Sequence, residues 1–185
     1  NFLCDFWRKR YGQGKCVSWV DGLRLCISTP QIVLIWCRKP MEVTKVEIKI
    51  DNQLFSVYPE IRLGVLRFQA DVKESDPAFW EHMNNKVLPK VRNNIEGKEW
   101  SEIPGIRGSR AAYKAFGRNP GRYRVSSEAL LRRVRRGDEL YHVNSVVDVN
   151  NLISVESGLS VGSYDLAHIR GAITLRDTDG LNHLK

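Results

Sequence analysis

Apolar and polar positions change period several times along the chain. VEIKI (Val46–Ile50) alternates, as a half-buried strand does. IRLGVLRFQADV (Ile61–Val72) carries enough apolar residues for a second, more buried strand. The period then becomes helical. In PAFWEHMNNKVLPKVRNN, Phe79, Trp80, Met83, Val87 and Val91 form one stripe, Asp76 or Ser75 is placed to cap, and Pro77 suits the first helical position. Pro89 is expected to kink or divide this helix. WSEIPGIRG predicts a turn with Pro104 near a helix start, and GSRAAYKAFG a helix with Tyr113 and Phe116 facing inward. In SSEALLRRVRRG, Ser126 is the expected N-cap, Glu128 sits in the first turn and Gly137 ends the helix. Leu130, Leu131 and Val134 share one face, with Arg132, Arg133, Arg135 and Arg136 on the other.

NSVVDVNNLISVESG admits two assignments. As a helix it would be capped by Ser145, with Asp148 three residues on, and stopped by Gly158. Its apolar residues, Val146, Val147, Val149, Leu152, Ile153 and Val155, point all round the axis, so such a helix would be largely buried. The β-branched content suits a strand, but about a dozen residues between caps is long for one. LAHIRG then predicts a turn or short helix, AITLR a strand, and Asp179–Gly180 a hairpin-like turn. Interspersed strands and helices in 185 residues, 42% hydrophobic, predict one α+β domain in which helices pack on a mixed sheet.

Charge sharpens this picture. From Ile103 to Arg136 stand Arg107, Arg110, Lys114, Arg118, Arg122, Arg124, Arg132, Arg133, Arg135 and Arg136, opposed only by Glu128. Ten positive side chains against one negative leave +9, while the whole chain is +8, so the remainder is −1. Segregated charge describes a surface, and nine of the ten are Arg, whose planar fork grips phosphate and stacks on bases. RNPGRYR joins the two basic helices by a turn in which Tyr123 could stack on a base. An ordinary solvated helix face competes with this assignment. Two basic helices and their joining turn together favour an anionic partner, nucleic acid first.

Asp148, Asn150 and Asn151 lie in the apolar run whichever way it folds. Buried amides without partners cost ~1–3 kcal/mol each, so they bond nearby backbone or hold a ligand's polar groups. Other chemistry finds no foothold. Gly105-x-x-Gly108 is neither a Walker loop nor a dinucleotide fingerprint. His82, His142, His168 and His183 make no ligand or triad spacing, and no cofactor or metal is called for.

VNSVVDVNNLISVESGLSVGSYDLAHIRGAITLR resembles the B3/B4 domain of the phenylalanyl-tRNA synthetase β subunit, with its Asn-x-Val-Val-Asp-Val-x-Asn helix, following loop and returning strand. The helices GSRAAYKAFG and SSEALLRRVRRG and the VGSYD segment, expected as a loop, are closer still to free-standing proteins of that superfamily. The resemblance implies an editing-type domain that binds tRNA or aminoacyl-tRNA, and with it hydrolysis of mischarged aminoacyl-tRNA in trans. It also implies a cytoplasmic setting and an amino-acid-sized pocket. Residue by residue, the family's Thr-Asn pair corresponds to Asn150 and Asn151, its loop aspartate to Asp165 and the preceding aromatic to Tyr164. The family's pocket histidine is replaced by Gly162, and its downstream glutamate has no counterpart before Lys185. The implied pocket is therefore Asn150, Asn151, Gly162, Ser163 and Tyr164, with Asp148 and Asp165 as candidate bases that could equally be structural caps. Non-catalytic RNA binding, or binding of a small amino-acid-like ligand on the same fold, are the alternatives.

The first forty residues differ from the rest. They hold Cys4, Cys16, Cys26 and Cys37, three of the five tryptophans, and seven basic residues against Asp5 and Asp21. Cysteine spacings of 12, 10 and 11 match no zinc-ligand pair. STPQIVLIWC is too short to span a membrane, and no run of 18 apolar residues occurs elsewhere. MEVTKVEIKID looks like a natural opening, so 41–185 is expected to be the B3/B4-like domain, truncated at its C-terminal end, and 1–40 an appendage, poorly ordered or irregularly packed.

Overall fold

The computed structural model describes residues 30–37, 47–169 and 171–176. Five strands and six α-helices follow in order: β1 (Pro30–Cys37), β2 (Ile48–Ile50), α1 (Asn52–Val57), β3 (Arg62–Gln69), α2 (Pro77–His82), α3 (Leu88–Ile95), α4 (Pro104–Ala115), α5 (Ser126–Arg136), α6 (Ser145–Ser157), β4 (Val161–Asp165) and β5 (Ile173–Leu175). The α+β class holds. The strands form a three-stranded sheet of order β3-β1-β4 and a two-stranded sheet of β2 and β5. Every pairing among the described residues is parallel, where a mixed sheet was expected. Parallel neighbours need long crossovers, and each pair has one: β2 and α1 lie between β1 and β3, and all six α-helices lie between β1 and β4 and between β2 and β5.

Strand β1 lies ahead of Met41 and was not assigned from the sequence. It sits between β3 and β4, with Val33 opposite Val65 on one side and Gly162 on the other. β3 is less buried than its composition suggested: Val65 is 42% and Leu66 55% exposed. Helix α1 was also missed, although its signal is local, since Asp51 accepts a hydrogen bond from the Gln53 amide at 2.8 Å as an N-cap. The Asp179–Gly180 turn and Cys4, Cys16 and Cys26 lie outside the described residues.

The core is helical. Met83, Ile106 and Val134 are fully enclosed, with Val87, Val91, Leu131, Val149 and Val155 around them. The long helix expected from 77 onward starts as read, with Asp76 capping the Ala78 amide and Pro77 first. It is divided by a π-helical turn, Met83–Val87, just before Pro89. A proline lacks the amide proton and its ring crowds the carbonyl four residues back, here that of Asn85, so the preceding turn widens.

NSVVDVNNLISVESG is a helix, and as expected it is buried nearly all round. Its cap lies one residue earlier than expected: Asn144, not Ser145, accepts from the Val146 and Val147 amides at 3.1 and 3.0 Å. Ser145 instead ties the helix start to the segment after β3, its amide donating to the Lys73 carbonyl at 2.7 Å. At the other end Gly158 takes φ +73° and meets α4. A Cβ on Gly105 would lie 2.6 Å from the Gly158 carbonyl group, so only glycine allows this approach of the two helix ends.

Candidate nucleic-acid interface and cleft

The Arg-rich window splits into two parts with different chemistry. In α5 the expected N-cap Ser126 is exposed and already helical; Val125 precedes the helix without a side-chain cap, while Gly137 ends it at φ +84° as expected. Leu131 and Val134 pack into the core as the period requires, with Leu130 against its edge. Glu128, the lone acid of the window, is 1% exposed. Arg110 of α4 donates to both its oxygens at 3.1 Å, and Arg132 donates to Oε1 at 2.8 Å through Nη2 and 3.1 Å through Nε. A buried carboxylate needs such partners, because desolvating a charge costs several kcal/mol.

The four arginines of α5 all turn back onto the protein. Arg135 donates to the Ile95 and Lys98 carbonyls at 2.6 and 2.9 Å. Arg132 and Arg135 both lie over the Trp100 ring, 4.5 and 3.8 Å from its centre. Arg133 donates to the Glu139 carbonyl at 2.7 Å and lies over Tyr141. Arg136 pairs with Asp138 at 2.6 Å. Sequence spacing could have revealed Glu128–Arg132, an i,i+4 pair; the partners in distant carbonyls and Trp100 leave no local trace.

Four other basic residues, Arg107, Lys114, Arg122 and Arg124, are exposed. Arg107 and Lys114 share the exposed face of α4, seven residues or about two turns apart. In the turn that follows, Arg122, Tyr123 and Arg124 are exposed, and the Arg118 and Arg122 guanidiniums lie 5.9 and 5.8 Å from the Tyr123 ring centre. Arg107, Lys114, Arg122 and Arg124 make no ion pair among the described residues.

Arg124 opens onto a half-open cleft of about 300 Å³ between α4, β4 and β5. Tyr113, Ser126, Ser160, Gly162, Tyr164 and Thr174 line it together with apolar residues of β3 and β5. No carboxylate or imidazole lines it among the described residues. The lining is one cation, hydroxyls and apolar surface, chemistry suited to an anionic group carried on a flat or apolar body.

The residues expected to form one pocket lie on two sides of β4. VGSYD is a strand rather than a loop, and its side chains alternate. Gly162 and Tyr164 face the cleft, Tyr164 44% exposed, while Ser163 faces α6 and accepts from Asn150 Nδ2 at 2.8 Å. Asn150 is 6% exposed, and its Oδ1 is buried without a partner among the described residues. Asn151, one position on around the helix, is half-buried. Asp148 locks the segment before α6, accepting from the Val143 amide at 3.0 Å and the Ser75 hydroxyl at 2.5 Å. Asp165 accepts from the Ala167 amide at 3.0 Å and lies 3.1 Å from His168 Nδ1. Both carboxylates thus act as caps and ties.

No curated protein matches the chain, and no solved structure does. No helix among the described residues is long and apolar enough to cross a membrane. A family model does match: the B3/4 domain, over residues 108–185, beginning inside α4, whereas the resemblance in the sequence was expected from Met41. The likeness drawn from the buried Asn-Asp-Asn helix and the VGSYD segment therefore holds: residues 108–185 match the B3/4 domain, consistent with a B3/B4 domain of the phenylalanyl-tRNA synthetase β-subunit type.

Proposed function

We propose that this chain is a tRNA-associated module that binds tRNA or aminoacyl-tRNA, with the cleft beside Arg124 receiving the aminoacyl end. The observation that carries the proposal is the continuity of cation and cleft. Arg124 lines the cleft, Arg122 stands two residues before it in the same exposed turn, and neither has an ion-pair partner among the described residues. Arg124 would hold a phosphate or carboxylate, and the hydroxyls of Ser126, Ser160 and Thr174 would orient the sugar or the amino-acid backbone.

Hydrolysis in trans is the finer form of the proposal. With no acid or imidazole on the cleft wall, it would rest on placing water against the ester. The lining gives the second reading its support: with Asp148 and Asp165 tied to backbone amides, a binding module without turnover fits the same residues.

Deacylation of a panel of charged and mischarged tRNAs, run beside equilibrium binding, tests both. Hydrolysis of one aminoacyl class that falls with Arg124→Ala and Tyr164→Ala supports an editing-type enzyme. Binding without turnover supports the non-catalytic module. Salt-independent binding, or none, removes both and leaves the small-ligand alternative.

A further inference from the structure

We infer that the partner's unpaired strand runs along α4 and the 118–124 turn, with Tyr123 as its stacking platform, and that the arginine-rich helix α5 takes no part. The inference rests on the nucleic-acid reading above and adds which surface, which residues and which form of nucleic acid.

The separation of the arginines is the first support. A guanidinium already shared between two carbonyls and a tryptophan ring, as in Arg135, has little left to offer a phosphate without losing those contacts. The same holds for Arg132 on Glu128 and Arg133 on the Glu139 carbonyl. Arg107, Lys114, Arg122 and Arg124 have no such ties among the described residues. Arg107 and Lys114 lie on one exposed face of α4, Arg122 and Arg124 are exposed in the turn that follows it, and Arg124 lines the cleft, so the four offer successive contacts rather than a single point.

The second support is the aromatic. Tyr123 is 39% exposed between Arg122 and Arg124, and Tyr164 stands exposed in the cleft lining. Bases inside a duplex are already stacked, so an exposed ring beside cations serves an unpaired base. Asn119 fixes the turn by accepting from the Gly121 amide at 2.8 Å, which sets the position of the residues that follow.

The test is an anisotropy titration of the full chain with a 12-nucleotide unpaired RNA and with a fully paired hairpin, between 50 and 200 mM salt. Wild type is expected to favour the unpaired probe. Arg122→Ala/Arg124→Ala should flatten the salt slope by about 1.4, at roughly 0.7 per phosphate contact on a single strand. Tyr123→Ala should keep the slope and weaken binding about 5- to 150-fold, the range for one lost base stack. Arg133→Ala/Arg136→Ala, checked for fold by circular dichroism, should leave both unchanged. If RNA binds but the turn variants match wild type, or the hairpin binds as well as the open strand, the inference is overturned while RNA association survives. If neither RNA binds with salt sensitivity, the nucleic-acid reading falls and the inference with it.

Discussion

Two basic stretches, α5 and the α4–turn segment before it, do different work. Helix α5 carries four arginines in five residues, and each finds a partner within the protein: a buried carboxylate, main-chain carbonyls, an aromatic face or a neighbouring aspartate. The α4–turn segment carries its cations more sparsely and leaves Arg107, Lys114, Arg122 and Arg124 without an ion pair among the described residues. Net charge counts both alike. A partner feels mainly the second, because a fork committed to carbonyls presents fewer free donors. The densest run of charge is here an element of the fold.

The strongest blow to that distinction would come from Glu128. Replacing it by Gln leaves Arg110 and Arg132, both mostly buried, facing a neutral amide. Breaking a buried pair this way typically costs about 3–5 kcal/mol, and urea unfolding should show the midpoint fall by that loss divided by m, with m unchanged. An unshifted midpoint would mean that α5's arginines are effectively solvated, and the contrast with the turn would vanish.

Next in size is Gly105→Ala. Its Cβ would meet the Gly158 backbone at 2.6 Å, where neither helix end can yield cheaply. Overpacking of this kind costs about 1–3 kcal/mol, more than the ~1 kcal/mol that Ala gains over Gly inside a helix. Thermal unfolding should register a net loss. A net gain in Tm would show that α4, with the exposed cations it carries, is not fixed by this contact.

What was legible in the sequence follows from how local each signal is. The helix divided at Pro89, the ends at Gly137 and Gly158 and the buried character of α6 all rest on residues within a turn or two, and all hold. The caps were displaced by one position because Ser126 and Ser145 each stand beside the residue that takes the cap's backbone conformation. The pocket residues were drawn together by a resemblance that treated VGSYD as a loop; strand alternation separates Gly162 and Tyr164 from Ser163 and Asn150. The roles of Arg110 and Arg135 depend on partners 18 and 37 to 40 residues away, which no spacing rule records.

A smaller effect sharpens the point about caps. Asn144→Ala removes an acceptor from two amides and should cost ~1 kcal/mol. Ser126→Ala, at an exposed position without a capping bond, should stay within about 0.5 kcal/mol of wild type. Equal losses in the two variants would return the cap of α5 to Ser126 and cast doubt on where that helix begins.

The smallest expected change is the most discriminating. Arg122→Ala/Arg124→Ala removes two side chains that make no hydrogen bond or ion pair among the described residues, Arg122 lying 5.8 Å from the Tyr123 ring centre. Exposed substitutions of this kind usually fall within about 0.5 kcal/mol, so the urea midpoint should not move. The matched pair Arg132→Ala/Arg135→Ala removes a partner of buried Glu128, two carbonyl contacts and both guanidiniums over Trp100, and should fall well below wild type. The contrast is one of stability alone, independent of any ligand. A turn variant that unfolds as readily as the helix variant would mean that Arg122 and Arg124 are held by the fold after all. The exposed set would then lose two of its four cations, whatever RNA binding showed.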